Sequence, residues 1–279
     1  MTTLRAAEPG LPIGSRFLPP WQRSKVMRLY QFASFVQATA DSVADDAAID
    51  TLDDDVNRML AGHRVGQPVI NRLRRLRHRC PADGFRHLVA AARQDQLKVS
   101  YPDFESLMGY CSLSGGSLGV LGLHALARLP DAHQLDRVAT IYASARLLVI
   151  CASLREDAAG GRVYLPATEL GLRGLTVSDV TTRLASVSPA VSEIVAALSA
   201  RALYLLQAAA PVLRDLPPSA RIVLSGVIAE SVALHRMLHR AGLDVLRPPS
   251  PASRIGASLR FAHTLRTRPS GFARSGASS

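Results

Sequence analysis

Apolar side chains recur at helical spacing along almost the whole chain, and few stretches alternate as a β-strand requires. In residues 21–46, Val26, Leu29, Ala33 and Val36 fall near one face of a helix, and two prolines precede the segment. The same spacing predicts helices over 52–60, 69–79, 85–92, from 102–103 onward, and over 118–128, 133–157, 177–184, 189–213 and 220–241. The chain is therefore predicted to be all-α, with about ten helices in one bundle.

The breaks between the predicted helices are short. They fall at Gly160-Gly161, at Pro217-Pro218 and in the proline-rich stretch 248–251, and none resembles an interdomain linker. The clearest strand signal, residues 163–165, stops at Pro166. We predict a single domain over residues 1–268, followed by a basic, disordered tail over 269–279.

Charge and composition narrow the function classes. The 33 Lys and Arg against 22 Asp and Glu give a net charge of +11, which suits diphosphates, anionic lipid or nucleic acid. Three cysteines without a Cys-x-x-Cys pair and an N-terminus without a signal-peptide pattern predict a reducing cytoplasmic location. The uncharged stretch 110–127 is broken by Ser and Gly, which argues against a transmembrane protein. An aromatic content of 5% argues against an RNA-stacking surface, and we expect no nucleic-acid partner.

The first motif with chemical meaning is DSVADD, at residues 41–46. On a helix, Asp41 and Asp45 lie one turn apart on one face, where two like charges repel unless a cation or solvent offsets them. Carboxylate oxygens in this arrangement suit Mg²⁺ that also holds a substrate's phosphates. A solvated acidic helix end is the alternative that the spacing leaves open.

The second motif is EDAAGGRVYLP, at residues 156–166, and it ends a long apolar helix. Gly160-Gly161 permits a helix stop, after which Arg162 can turn back onto an anion. Taken alone, the segment is also typical of a helix end with ordinary surface charges. If the two acidic helix ends face one another, their carboxylates can clamp Mg²⁺ over an apolar cavity, as a prenyl-diphosphate enzyme requires.

These motifs resemble those of the squalene/phytoene synthase family, over residues 10–268. Asp41 and Asp45 match the family's D-x-x-x-D motif, and residues 156–166 match its second motif with the Gly-Arg-aromatic-Pro run that follows. The stretch YCSLSGGSLG, at 110–119, is similar to the family's segment between the motifs. LPIGSRFLP at 11–19, ARQD at 92–95 and YPDF at 101–104 resemble the hydroxysqualene synthases of the bacterial hopanoid pathway.

The resemblance implies an isoprenoid-synthase-like bundle around a central apolar cavity, with Mg²⁺ as the cofactor. The implied metal ligands are Asp41, Asp45, Glu156 and Asp157, and the implied catalytic residues are Asp41, Asp45, Asp157 and Tyr164. The implied diphosphate ligands are Arg23, Arg155 and Arg162. The implied cavity residues are Tyr30, Tyr110, Ser114 and Gly119.

The chain departs from the family pattern at Ser153, where the second motif has an aspartate, and at Val149 and Ala152, where polar residues are usual. The expected function is Mg-dependent conversion of presqualene diphosphate into hydroxysqualene. Head-to-head condensation of farnesyl or geranylgeranyl diphosphate is one alternative. A noncatalytic lipid-binding or assembly module is another, and Ser153 favours it.

Two further segments carry weaker signals. The basic amphipathic stretch 254–268 indicates contact with the inner face of a membrane, although packing of a terminal helix explains it equally well. His235 and His239 are four residues apart but lack the glutamate of a zinc-hydrolase helix, so we do not expect a metal there. Oligomeric state and the use of NADPH stay open.

Overall fold

The computed structural model describes residues 13–41, 46–97 and 100–240, and these ranges are helical almost throughout. Their ten α-helices are α1 (Pro20–Asp41), α2 (Asp46–Leu60), α3 (Pro68–Asn71), α4 (Ala82–Leu97), α5 (Phe104–Cys111), α6 (Ser117–Leu126), α7 (Ala132–Ala159), α8 (Ala167–Gly171), α9 (Val177–Ala209) and α10 (Pro218–Arg240). Short 3₁₀ segments (Ile13–Phe17, Arg72–Arg75 and Ala210–Arg214) and a π-helical turn (Ser112–Gly116) complete the bundle. The all-α prediction is confirmed.

Local sequence sets where the long helices begin and end. Asp131 and Gln134 form a capping box at the start of α7, in which each side chain bonds the other's backbone amide. The stop predicted at Gly160-Gly161 is confirmed, since α7 ends at Ala159 and Gly161 has a φ of 79°. Glycine adopts this left-handed conformation without strain, so the chain can reverse direction there.

α7 runs through the middle of the bundle, where it packs against α5, α6, α9 and α10. It buries Ile141, Leu147, Leu148 and Leu154 almost completely. One apolar cluster joins α7 to α1, α2, α4, α6 and α10, and a second joins it to α5, α9 and residues 163–165. Burying each large aliphatic side chain is worth about 1.5–3 kcal/mol, so α7, which belongs to both clusters, holds the two halves together.

Segments 177–184 and 189–213, predicted as separate helices, meet at a kink within α9. Arg183 has non-helical dihedral angles (φ −139°, ψ 38°), and the helix after it includes residues 184–188 before a 3₁₀ continuation. Pro189 has no N–H to offer the carbonyl of Ala185, and the hydroxyl of Ser188 donates to that oxygen at 3.2 Å instead. Of the helix predicted over 21–46, the structure describes α1 up to Asp41. Residues 42–45 lie outside the described residues, and α2 begins at Asp46.

Residues 163–165, which carry the clearest strand signal of a chain predicted to be all-α, stay outside any strand. Within the described ranges, Tyr101 and Pro166 form an isolated parallel bridge and no strand develops from it. The amide of Ala167 donates to the carbonyl of Tyr101 at 2.8 Å, and that of Thr168 donates to Pro102 at 3.0 Å. These bonds join the segment after α7 to the segment before α5.

Three helices are long and apolar enough to cross a membrane by length and composition alone, namely α7, α9 with its 3₁₀ continuation, and α10. The bundle buries 56% of the most apolar window of α7, against 39% and 33% for the other two. Packing inside the bundle therefore accounts for the apolar character of α7 more fully than for that of α9 and α10.

Several sequence predictions fall outside the described residues. They include Asp45, the basic stretch 254–268 and the tail 269–279.

Gly115→Ala is expected to destabilise the protein, because the π-helical turn lies directly against α7. A Cβ at position 115 would stand 2.5 Å from the carbonyl oxygen of Tyr142 and 2.9 Å from the Cβ of Arg146. We expect urea denaturation to show a loss of about 1–3 kcal/mol in the free energy of unfolding. Gly109→Ala in α5 is the matched control, since nothing lies within 4 Å of its Cβ, and it should stabilise by about 0.5–1 kcal/mol. Equal stability of the two variants would contradict this account.

Candidate active site

The carboxylate of Asp95, near the end of α4, is buried among polar side chains from other elements. Its Oδ2 accepts a hydrogen bond from the hydroxyl of Tyr110 at 3.0 Å, and its Oδ1 accepts one from the hydroxyl of Tyr164 at 2.8 Å. The side-chain amide of Gln37, in α1, donates to Oδ2 at 3.4 Å. A buried carboxylate needs such donors because it has lost its water. Asp95 thus draws α1, α4, α5 and the chain after α7 to one point.

Arg146 brings a positive charge to this cluster from α7. Its Nη2 donates to the hydroxyl of Tyr110 at 2.8 Å, and its guanidinium carbon lies 5.6 Å from the centre of the Tyr110 ring. Burial alone would lower the pKa of Arg146, but Tyr110, Asp95 and Tyr164 raise it well above its ordinary value. Its Nε is buried with no hydrogen-bond partner among the residues that the structure describes. The guanidinium therefore keeps donor capacity for an anion.

Three tyrosine rings, those of Tyr101, Tyr110 and Tyr164, form a cage beside the two charges. The ring centres of Tyr110 lie 5.4 Å from those of both Tyr101 and Tyr164, and the latter two stand 6.0 Å apart. Burial is the main reason that the pKa of each hydroxyl is raised above its ordinary value. The hydroxyls therefore stay protonated at neutral pH, and the cage offers ring faces and O–H donors.

A second carboxylate, Asp157, stands at the C-terminal end of α7. Burial raises its pKa to about 6, Asp95 adds to the rise, and the guanidinium groups of Arg146 and Arg162 oppose it. The backbone amide of Arg162 donates to the carbonyl of Asp157 at 2.9 Å, so the chain folds back over the helix end. The charges of Arg146, Arg162 and Asp95 therefore all act on the carboxyl group of Asp157.

The other predicted residues of this helix end face differently. Glu156 and Arg155 are exposed, whereas Asp157 is half-buried. Ser153 lies one turn before Asp157, and its hydroxyl donates to the carbonyl of Val149 at 2.8 Å. The structure therefore directs Asp157 toward the cluster and leaves Glu156 in solvent.

The first acidic motif begins where α1 ends. Asp41 is the last residue of α1, one turn after Gln37, whose amide reaches Asp95. The last turns of α1 and the segment after α7 are therefore connected through Asp95. The side chain of Asp41 and the whole of Asp45 fall outside the described part of the chain. Within that part, no group of three or more His, Cys, Asp or Glu side chains is placed to hold a metal ion.

The four predicted cavity residues divide between two places. Tyr110 belongs to the Asp95 cluster, and Ser114 supports it by donating to the carbonyl of Tyr110 at 2.9 Å. Tyr30 and Gly119 instead line an apolar cavity of ≈ 20 Å³ between α1, α6, α7 and α10, which has room for about one water. In that cavity the hydroxyl of Tyr30 donates to that of Tyr142 at 3.2 Å.

Arg23 is a predicted diphosphate ligand that the structure does not bring to this site. It is exposed in the first turns of α1, eighteen residues before Asp41. A helix rises 1.5 Å per residue, so about 27 Å of helix separates the two residues. Arg23 is therefore left out of the site proposed below. Tyr164, predicted to be catalytic, does lie in the cluster.

Sequence analysis missed Arg146 and used Asp95 and Tyr101 only as part of a resemblance. The sequence nevertheless contains a signal for the two charged residues, Arg146 and Asp95. Arg146 is the one charged residue in the stretch 138–154, which is otherwise apolar or small and polar. Asp95 continues the buried stripe of Leu88 and Ala92 on α4. A charge on a face that must be buried indicates a partnered polar site.

Known proteins of one family are similar in sequence to this chain. A family model described as squalene/phytoene synthase matches residues 4–256. The phytoene synthase of Arthrospira platensis is 27% identical over 186 residues, which cover 60% of this chain and 60% of that protein. The presqualene diphosphate synthase of Zymomonas mobilis subsp. mobilis is 28% identical over 185 residues, covering 62% and 61%. The chain thus matches about three fifths of the length of these two relatives.

Solved structures give the same assignment. The squalene synthase HpnC of Alicyclobacillus acidocaldarius superposes with a TM-score of 0.75 at 25% identity, over 86% of this chain and 91% of that one. A dehydrosqualene synthase solved with a ligand has a TM-score of 0.77 at 17% identity, over 92% and 93%, and supports the fold alone. The family match covers most of the chain and agrees with the resemblance found in its motifs. The chain belongs to the squalene/phytoene synthase family.

Proposed function

We propose that this chain is a metal-dependent enzyme that ionises a prenyl diphosphate, and that it converts presqualene diphosphate into hydroxysqualene. The observation that carries the proposal is the setting of Asp157, half-buried within electrostatic reach of Arg146 and Arg162 beside the tyrosine cage. Such a setting offers a carboxylate to a cation and guanidinium groups to a diphosphate. The resemblance of residues 11–19 to hydroxysqualene synthases favours this reaction over condensation of two farnesyl or geranylgeranyl diphosphates.

Two arginines bind the diphosphate in this proposal. Arg146 is oriented by its hydrogen bond to Tyr110 and keeps its Nε for a further acceptor. Arg162 follows the helix stop, where its backbone is fixed to Asp157. A guanidinium presents parallel N–H groups that match two phosphate oxygens, so the pair can both hold and orient the leaving group.

Mg²⁺ is the proposed cofactor, and the donor set fits a hard cation. Asp41, at the end of α1, Asp45 of the same motif and Asp157, at the end of α7, would hold it with oxygen ligands. Because burial raises the pKa of Asp157, a cation beside that carboxylate would relieve an electrostatic cost. Exposed Glu156 stays outside the proposed set. When bound, Mg²⁺ draws negative charge from the departing diphosphate.

The tyrosine cage provides the surroundings for a carbocation. The C–O bond breaks, its electron pair leaves with the diphosphate, and the cyclopropylcarbinyl cation rearranges. Water then adds to the cation and loses a proton, which yields hydroxysqualene. Protonated phenols offer ring faces that stabilise a cation and no phenolate that would attack it. Asp95 fixes the hydroxyls of Tyr110 and Tyr164 and so keeps the rings in place.

A noncatalytic lipid-binding or assembly module is the second candidate. The observation that favours it is Ser153, whose hydroxyl is engaged with the carbonyl of Val149 one turn before Asp157. A carboxylate is absent at that position, so α7 offers the cation fewer ligands. The two candidates differ in whether the chain releases diphosphate from a prenyl substrate.

The affinity for Mg²⁺ is expected to depend on pH through Asp157. Below its pKa of about 6 the carboxyl is protonated and cannot ligate a metal. We expect the Kd for Mg²⁺, measured by calorimetry with inorganic diphosphate present, to rise about tenfold for each pH unit below that pKa and to level off above it. Asp157→Asn should bind weakly at every pH. A native Kd that is constant from pH 5 to 7.5 would contradict the assignment.

The same variant gives a readout that needs no metal. A carboxyl whose pKa is raised on folding binds its proton more tightly in the folded state, so stability falls as pH rises from about 4 toward 6. Metal-free Asp157→Asn should therefore unfold at a higher urea concentration than the native chain at pH 7.5, and at a similar one at pH 4.

Ser153→Asp is expected to strengthen the metal site, because it adds a carboxylate one turn from Asp157. The measurement is diphosphate release from presqualene and farnesyl diphosphates with Mg²⁺, with an Asp41→Ala/Asp45→Ala variant as the blank. We expect the native chain to exceed the blank and Ser153→Asp to bind Mg²⁺ about tenfold more tightly. Ser153→Asn, whose side chain has the size of aspartate but no charge, should not bind Mg²⁺ more tightly than the native chain. Native release no higher than the blank would favour the noncatalytic module.

Arg146→Gln is expected to weaken substrate binding, since it removes the charge and one arm of the fork. We expect KM for the diphosphate substrate to rise about tenfold or more. Arg146→Lys, which keeps the charge without the planar fork, should recover part of that loss. Arg137→Gln, near the start of the same helix, is the control and should leave KM unchanged. Equal KM values for the two glutamine variants would remove Arg146 from the site.

A further inference from the structure

The positive charge of the chain is concentrated in three segments. Residues 13–28, 56–82 and 117–130 hold twelve of the 33 basic residues and none of the 22 acidic ones. Two of the acidic residues that border them are engaged: Asp83 pairs with Arg86 at 3.3 Å, and Asp131 caps the start of α7 through the amide of Gln134. The three segments themselves therefore add only positive charge to the surface.

Contacts bring parts of the three segments together at one corner of the bundle. The Nζ of Lys25, in α1, donates to the carbonyl of Ala125, near the end of α6, at 3.3 Å. The thiol of Cys80 donates to the carbonyl of Leu121 on the same helix at 3.6 Å. Burial lowers the pKa of Lys25, and the nearby charge of Arg79 lowers it further. The first turns of α1, the end of α6 and the turn at residues 79–80 are thus neighbours.

Large apolar side chains project into solvent at this corner. Trp21 is 61% exposed, Phe17 is 56% exposed and Leu129 is 94% exposed. The Nζ of Lys25 lies 4.8 Å from the centre of the Trp21 ring, and Leu129 follows Ala125 by four residues, just past the end of α6. We define the docking corner by three apolar side chains and four exposed cations: Phe17, Trp21, Leu129, Arg16, Arg23, Arg79 and Arg128.

We propose that the docking corner binds the surface of an anionic lipid bilayer. Tryptophan favours the level of the headgroups, where its ring is apolar and its N–H is hydrated. Exposed Leu and Phe side chains gain by leaving water for the acyl boundary, and arginines attract anionic headgroups. A nucleic acid would match the cations but would leave Leu129 and Phe17 exposed to water. A bilayer therefore matches both the exposed cations and the apolar side chains of the docking corner.

The docking corner lies far from the candidate active site. Trp21 precedes Asp41 by twenty residues of one helix, which is about 30 Å of axial rise. Docking there would leave the Asp95 cluster uncovered. The inference does not depend on the proposed reaction, and it assigns lipid contact to the described bundle rather than to residues 254–268.

Trp21 is the single tryptophan of the chain and reports directly on docking. The experiment adds the full chain to vesicles of neutral phosphatidylcholine, or of phosphatidylcholine with phosphatidylglycerol, and records both sedimentation and tryptophan emission. We expect co-sedimentation, a blue shift and protection from acrylamide quenching with the anionic vesicles only, all weakened by high salt. Failure to bind anionic vesicles, or binding with no change in emission, would overturn the proposal.

A matched pair of variants separates the docking corner from other basic segments. Leu129→Ser/Arg79→Glu keeps the tryptophan reporter and is expected to weaken partition into anionic vesicles about tenfold or more. Leu172→Ser/Arg236→Glu makes the same chemical changes at an 81%-exposed leucine and an exposed arginine elsewhere, and should bind as the native chain does. Far-UV circular dichroism checks that both variants fold.

Other results would count against the docking corner. Native binding by the Leu129→Ser/Arg79→Glu variant would move lipid contact to another part of the chain. Tight, salt-sensitive binding of a DNA duplex without binding of anionic vesicles would identify a nucleic acid as the partner.

Discussion

A carboxylate that has lost its water must be surrounded by donors, and Asp95 meets that requirement with groups from three other parts of the chain. Tyr110, Tyr164 and Gln37 donate to its two oxygens, and Arg146 reaches it through Tyr110. Leaving such a group unsatisfied costs about 1–3 kcal/mol, and more when it is charged. The ends of α1, α4 and α5, the middle of α7 and the segment after α7 therefore cannot shift independently.

The same cluster sets the charge that a ligand meets. Two carboxylates, Asp95 and Asp157, stand close to two guanidinium groups, those of Arg146 and Arg162. The four charges balance, so a diphosphate that enters makes the cluster negative. A cation shared with the carboxylates of the first motif would restore the balance. In the proposed reaction, the demand for Mg²⁺ thus arises with the substrate rather than before it.

Periodicity and helix punctuation allowed much of the fold to be predicted, because apolar spacing and glycine conformations are local properties. Gly161 follows the end of α7 and adopts a positive φ, which glycine does without strain. The kinked continuity of α9 was not predictable in this way, since a side-chain bond from Ser188 to Ala185 compensates for Pro189. Residues 163–165 resemble a strand in composition without forming one, because burial against α9 selects the same residue types as a strand does.

The sequence predicted only those site residues that belong to a recognisable motif. Asp157, Arg162 and Tyr164 lie in a contiguous segment, and the fold keeps them near one another. Arg146 and Asp95 are fifty-one residues apart. They come together because α4 packs against the π-helical turn, and that turn and α5 pack against α7. Arg23 is a case in which the residue type suits a phosphate but the helix does not bring it to the site. It lies in the first turns of α1, far from the end of that helix.

Ser153 and Arg146 act in the same direction on the proposed site. A serine in place of the motif's aspartate removes one negative charge, and the buried arginine supplies a permanent positive one. Both features lower the attraction of the proposed site for a divalent cation, since the free energy of binding that cation would come from uncompensated carboxylates. A diphosphate bound to the guanidinium groups would add negative charge of its own, so the proposed metal site would be complete only with the diphosphate in place.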